Sequence, residues 1–353
     1  MSPSLLLLIA AAAAAAAAQP SQAQPVPQTQ VSPAAAPPVS APAAAPTASG
    51  LPGAAPAAAP AGATPGAEPP VSEIVVEGAE PRYVARTTRD RIGRIWAPVS
   101  IDGKGPFRLV LDTGANHSAV IPATAAALGN PGAASATLVS GFTGSAIVPT
   151  IAIDRMEVGD LLLGPTTLPV VADVFGGAQG VLGHEGLLGK RITADFRRDR
   201  LEIVRSHGTP APFGFTVVEF RLVEGGLPIA DIRVGGIRCK AIIDTGAQGS
   251  VGNLPLRNAL MHHPPVNARH AEIEGVTLDV QTGDSLPAPT IEMGGLKISG
   301  VHIIFGDMYL FQHWHLTDKP VLLLGMDLLG SFDVLIIDYR MHEMQVQLAG
   351  GQL

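Results

Sequence analysis

The chain has 353 residues, a net charge of −7 and a single cysteine, Cys239. One cysteine excludes an internal disulfide, and charges without basic blocks or stripes argue against a nucleic-acid partner. The length allows two ordinary domains or one larger β-rich unit.

The first element in chain order is MSPSLLLLIAAAAAAAAAQPSQAQ, with an unbroken apolar run from Leu5 to Ala18. That run is shorter than the roughly 20 residues a membrane-spanning helix needs. An apolar core followed by small residues predicts a secretory signal peptide over residues 1–23, with cleavage after Ala18 or Ala23. No Lys or Arg precedes the run. The expected location is therefore exported, in the periplasm or secreted from a bacterium, with no membrane span after cleavage.

Residues 24–71 are nearly all Ala, Pro, Gln, Ser, Thr and Gly. Such a segment buries too little apolar area to offset its ordering entropy, and its prolines favour a semi-stiff extended tether. The folded part is expected to begin near Val71 and to hold about 280 residues. Ser72–Arg91 opens it, read as an extra strand of the first lobe in preference to an autoinhibitory piece.

Short β-branched runs then follow one another: IWAPVSIDG, FRLVLD, AIVPTIAI, LPVVADV, LEIVR, FTVVEF, PIADIRVGG, KAIID, KISGVHIIF and DVLIIDY. Turn residues separate them at intervals of roughly ten residues, which predicts a mostly antiparallel all-β protein. Short helices are expected at Pro122–Gly129 and Pro255–His263. The turns DGKG and VGG lack the strand–glycine–helix setting of nucleotide sites and read as hairpins.

The pattern Asp-Thr-Gly-Ala-x-x-Ser occurs twice, at Asp112–Ser118 and Asp244–Ser250, each time after an apolar strand. Each copy leads to a short helix. Later come two apolar residues and a glycine (Gly183 or Gly325), an acid (Glu185 or Asp327), Leu-Leu-Gly, and a strand ending in an acid and an aromatic (Asp195-Phe196 or Asp338-Tyr339). A duplicated unit of about 120–140 residues accounts for this order. It divides the folded part into a lobe at 72–210 and a lobe at 211–353, joined through RSHGTPAPFG.

An aspartate at the end of an apolar strand is costly unless paired or hydrogen-bonded. If the halves pack about a pseudo-twofold axis, Asp112 and Asp244 face each other. Two close carboxyls share a proton, so one serves as base and the other as acid, and neither metal nor cofactor is required. Gly114 and Gly246 allow a sharp turn and close approach. Thr113 and Thr245 offer hydroxyls to bond across the axis, and Ala115 and Ala247 are small enough for a crowded floor. Ser118 and Ser250 are expected to donate to the carboxylates or to cap the following turn.

These residues resemble the aspartic proteases, and the retropepsin-like branch more than the pepsin branch. Asp-Thr-Gly-Ala is the retropepsin form, and LLGMDLL is similar to that branch's apolar-apolar-Gly segment. The resemblance covers most of residues 90–345. It implies a β-barrel-like lobe per half, a cleft between them, catalytic roles for Asp112 and Asp244, and supporting roles for their Thr-Gly-Ala neighbours. It also implies a hairpin flap, sought in Leu138–Pro149 with Gly141, Phe142, Thr143 and Gly144 at its tip. No tyrosine of the pepsin kind lies in it. The equivalent segment of the second half is expected at Val280–Met293.

The expected activity is that of an aspartic endopeptidase acting on an extended peptide or protein segment. The alternative is a non-catalytic peptide-binding module on the same fold. A dyad within one chain is favoured over pairing between two chains, so a monomer over a homodimer. Of the ten histidines, His313 and His315 would share a face on a strand near His302 and Asp307, but no recognised metal-ligand spacing appears. His117 reads as a solvent-facing turn residue in preference to one that touches substrate or tunes the dyad. LFQHWHL (Leu310–Leu316) reads as a locally packed strand or loop, and Cys239 as a small buried hydrophobe.

Overall fold

A computed structural model describes residues 93–130, 135–159, 161–223, 226–261 and 269–348 in full. It also describes the backbone of short strands at 7–8, 12–15 and 83–86. The rest of the expected signal segment and the whole of the expected tether lie outside the described residues. Among the described residues no helix is long and apolar enough to cross a membrane.

The protein is mostly strand, with a few short helices, and the two halves share most of their elements in the same order. A hairpin comes first: Trp96–Ile101 with Lys104–Leu111, then Leu227–Val234 with Ile237–Ile243. Asp102-Gly103 (φ 49° and 74°) and Gly235-Gly236 (φ 54° and 81°) supply the positive φ pair that a two-residue hairpin turn requires. Each hairpin's second strand ends in an Asp-Thr-Gly-Ala loop. A two-residue strand (Ala119–Val120; Val251–Gly252) and a helix (Pro122–Ala127; Leu254–Leu260) follow. The second helix starts at Asn253, whose side chain accepts from the Leu256 N–H, a capping bond at the helix N-terminus.

A longer hairpin comes next in each half, Ser135–Ser140 with Ser145–Ile153 and Arg269–Gly275 with Val280–Pro287. The second turns at 276–279, so the expected segment Val280–Met293 holds only its return strand and the start of the next hairpin. The Asn253-capped helix ends earlier than expected, at Leu260. Leu310–Leu316 is not a strand: Tyr309–His313 forms a helix with no counterpart in the first half.

The strands carrying the glycines then thread into the loops. Gly180–Leu182 runs parallel to Lys104–Leu111 and antiparallel to Ala119–Val120. Val321–Leu324 does the same between Ile237–Ile243 and Val251–Gly252. Fully buried, these strands are continuous runs of apolar residues, as strands covered on both faces should be.

The halves are joined by one sheet. Lys190–Asp195 of the first pairs antiparallel with Val334–Asp338 of the second, Thr193 opposite Ile336. Arg200–Arg205 and Tyr83–Arg86 extend the sheet on one side, and Glu343–Gln347 and Thr216–Val223 on the other. Ser72–Arg91 thus contributes the extra strand expected of it. At the seam the buried Asp338 is satisfied by Arg191 at 3.0 Å, the Ser206 hydroxyl and the Arg340 and Met341 N–H groups. One apolar core runs through both halves, from Leu111, Leu182 and Ile192 to Ile243, Leu324 and Ile337.

Backbone pairs also place the N-terminal strands on the long hairpins. Leu7–Leu8 runs parallel to Val139–Ser140, and Ala12–Ala15 antiparallel to Glu272–Gly275.

Candidate active site

The two Asp-Thr-Gly-Ala loops meet where the glycine-bearing strands hold them. The Asp112 N–H donates to Leu182 O at 3.0 Å and the Asp244 N–H to Leu324 O at 3.1 Å. Each loop then bonds its own carboxylate. Asp112 Oδ1 accepts from Gly114 at 2.8 Å, and Asp244 Oδ1 from Gly246 at 2.9 Å and Ala247 at 3.0 Å. Oδ2 of each is buried with no backbone or other side-chain donor. The two carboxyls are close enough for each to alter the other's proton affinity.

The threonines tie the loops together. The Thr113 N–H donates to Thr245 Oγ1 at 3.2 Å, and the Thr245 N–H to Thr113 Oγ1 at 3.1 Å. Each hydroxyl in turn donates across the axis at 2.7 Å, Thr113 to Ile243 O and Thr245 to Leu111 O. Four bonds between fully buried groups fix the separation of the two loops. Close approach also dictates the glycine: a Cβ on Gly246 would stand 2.1 Å from Asp112 Cγ.

Ser118 and Ser250 do not donate to the aspartates. Their hydroxyls accept from Gly183 at 3.0 Å and Gly325 at 3.1 Å, and their N–H groups donate to Glu185 at 2.7 Å and Asp327 at 3.0 Å. They therefore bolt each loop to the glycine segment behind it. A Cβ on Gly325 would come 2.6 Å from the Gly249 carbonyl, and one on Gly183 2.5 Å from His117 C. His117 is held 3.4 Å from Glu185 and 3.0 Å from Thr167 O, so it braces this back wall.

Burial dominates the electrostatics. It raises the Asp112 carboxyl to about 6, opposed by bonds from Asp244, Gly114 and Ala115 and by the charge of Arg94. It raises Asp244 further, with the negative charge of Asp112 adding to the effect. Two such groups give up their protons in separate steps, so the pair holds a single proton once the pH is above about 6. Burial also pushes Cys239 up to about 12, which leaves it an inert thiol.

The tips of the two long hairpins meet, each packed into the other half's apolar cluster. Gly141–Gly144 forms the first tip, closed by the Gly141 N–H to Gly144 O at 2.8 Å. Phe142 there is fully buried in the second half's apolar cluster. It stands edge-on to Phe311 at 6.0 Å, and its carbonyl accepts from Leu310 at 3.2 Å. In return Val276, at the tip of the second hairpin, is buried with Trp96, Val139 and Phe175 of the first. The tips interlock: a Cβ on Gly275 would meet Thr143 Oγ1 at 2.3 Å.

The sequence held no signal for Val276, for the partnership of Phe311 with Phe142, or for Arg94. His302, His313, His315 and Asp307 do not assemble. Among the described residues no three His, Cys, Asp or Glu side chains come together as metal ligands.

The aspartyl protease family model matches the chain twice, over residues 97–192 and 230–328, together more than half its length. No curated protein matches the chain. The protein belongs to the aspartyl protease family, in its retropepsin-like branch, with both halves of the fold carried on one chain.

Proposed function

We propose that the protein is an aspartic endopeptidase whose single catalytic site is formed by Asp112 and Asp244 of one chain. The observation that carries this reading is the reciprocal threonine bonding, which holds two buried, proton-sharing carboxyls together between matching halves. The ionised carboxylate takes a proton from a water as its oxygen attacks the substrate amide carbon. The protonated partner gives its proton to the amide oxygen, forming a tetrahedral diol. As the diol collapses, one hydroxyl gives its proton back to the carboxylate that protonated the amide oxygen, the carboxyl that took the water's proton passes it to the leaving nitrogen, and the C–N bond breaks, leaving the dyad with its single proton.

The substrate is an extended segment held by backbone hydrogen bonds to the hairpin strands, with pockets for alternate side chains. The chain's own strands at Leu7–Leu8 and Ala12–Ala15, lying on the two hairpins, support that mode of binding. Gly141, Phe142, Thr143 and Gly144 serve as the flap over it. The apolar N-terminus is a secretory signal, so the enzyme works outside the cytoplasm, as a monomer.

The test is cleavage of an unfolded protein and a mixed peptide pool by residues 72–353, from about pH 3 to pH 8. A bell-shaped profile is expected of a coupled carboxyl pair. A folded protein that binds extended peptides tightly and cuts none at any pH would favour a non-catalytic binding module instead.

A further inference from the structure

The two halves differ in the buried residue that stands across the strand from each aspartate. In the first hairpin Trp96 is paired with Val110, and the Leu111 N–H donates to Ile95 O at 2.9 Å. One residue further, the same register sets Arg94 opposite Asp112. In the second hairpin Ile229 pairs with Ile242, and two residues further Leu227 stands opposite Asp244. Cross-strand partners share one face of a sheet, with Cβ atoms about 4.5–5.5 Å apart. Arg94 and Leu227 are thus equivalent positions of the duplicated unit, both buried, one cationic and one apolar.

We infer that Arg94 breaks the symmetry of the dyad, holding Asp112 as the ionised base and leaving Asp244 as the proton-bearing acid. This rests on the endopeptidase reading above. A buried cation beside one of two carboxyls sharing a proton favours the ionised form of the nearer one. The proton then sits on Asp244, whose strand partner is a leucine. In the reaction Asp112 receives the proton of the attacking water and Asp244 delivers its own to the amide oxygen. The role assigned to Arg94 is exerted through Asp112, which makes it a positioning residue.

The other groups around the pair do not supply this bias. Tyr339, buried between the halves, feels the negative charge of both aspartates and is itself driven up by burial and by that charge. Behind the first loop, His184 Nδ1 lies 3.0 Å from Ala115 O, and the His117–Glu185 pair is engaged with the Ser118 backbone and Thr167. Behind the second loop, Asp327 is bonded to Ser250. At the seam Asp338 is paired with Arg191.

The experiment uses the full chain with Arg94→Met and Arg94→Lys. In Arg94→Met the acid limb of the kcat/KM profile moves up by about one pH unit or more, while Arg94→Lys keeps the limb near its original place. An unmoved acid limb in a folded, active Arg94→Met protein would overturn the inference.

A second measurement needs neither an Arg94 variant nor activity. Carbon-13 titration of the remaining aspartate in Asp244→Asn and in Asp112→Asn reads each carboxyl alone. Asp112 is expected to ionise at the lower pH. Equal values, or Asp244 ionising first, would overturn the assignment even if the protease activity is confirmed. The expected order would survive a failure of the protease reading as a property of the buried pair.

Discussion

Thr113 and Thr245 each accept the other's backbone N–H, at 3.1 and 3.2 Å, and each sends its hydroxyl proton across the axis to the strand that precedes its partner's aspartate. Each hydroxyl therefore satisfies one buried donor and one buried acceptor of the opposite half. Thr113→Val keeps the shape and strands both. An unsatisfied buried polar group costs about 1–3 kcal/mol, so a loss on the order of 2–5 kcal/mol is expected in urea unfolding, with proteolysis falling as the loops separate. Thr113→Ser keeps the hydroxyl and is expected to lose far less of either.

The dyad itself should cost stability at neutral pH. Asp112 is raised from an ordinary value of 3.8 to about 6 by burial. The folded state thus binds protons more tightly than the unfolded one, and stability is greatest below about pH 4 and falls as pH rises through about 6. Asp112→Asn removes that loss. It is expected to be more stable than the unsubstituted protein at pH 7 by on the order of 1–3 kcal/mol, with the difference closing toward pH 4. Denaturant titrations at the two pH values check both sign and window.

Phe142 anchors the tip of one half's long hairpin in the other half's apolar cluster, against Phe311. Phe142→Ala removes the anchor from a hairpin tip. The amides of Ser135–Ile153 are expected to exchange faster in hydrogen exchange, and kcat/KM to drop about tenfold or more as substrate enclosure weakens. Phe311→Ala should reproduce the effect from the opposite side, and the double variant should add little to either single change.

Strands Leu7–Leu8 and Ala12–Ala15 lie on the hairpins that a substrate would use. Removing residues 1–18 is expected to raise the rate of peptide cleavage at low substrate concentration. A peptide spanning Leu5–Ala18 should compete with substrate for the shortened protein. Steady-state kinetics with and without the peptide read both outcomes.

The doubled Asp-Thr-Gly-Ala was legible because an ionisable residue closing an apolar strand demands a reason, and finding it twice at matching offsets supplies one. The direction of Ser118 and Ser250 was not legible: sequence offset places a hydroxyl near a carboxyl but does not say which way it points. They face Gly183 and Gly325 instead. The long hairpin of the second half turns at Val276–Asp279 through Leu278 at φ 65°, a conformation bulky side chains rarely adopt. It therefore carried less turn signal than the Gly-Asp-Pro-rich stretch after it. The aromatic run at Leu310–Leu316 reads as a locally packed strand or loop; its first part belongs to the helix Tyr309–His313, which packs Phe311 against Phe142, and residues 314–316 are turn and loop. A lone arginine before a strand ordinarily reads as a solvated flank, and only the hairpin register sets Arg94 opposite Asp112.

The central claim is that one aspartate from each half builds one proteolytic site within one chain. Its most direct test is the cleavage rate of Asp112→Asn, of Asp244→Asn, and of an equal mixture of the two. The structure predicts that each change alone abolishes cleavage and that the mixture stays inactive, because each chain holds its own broken pair. About half the activity surviving in each variant, or activity restored on mixing, would contradict it by showing that the halves pair between chains.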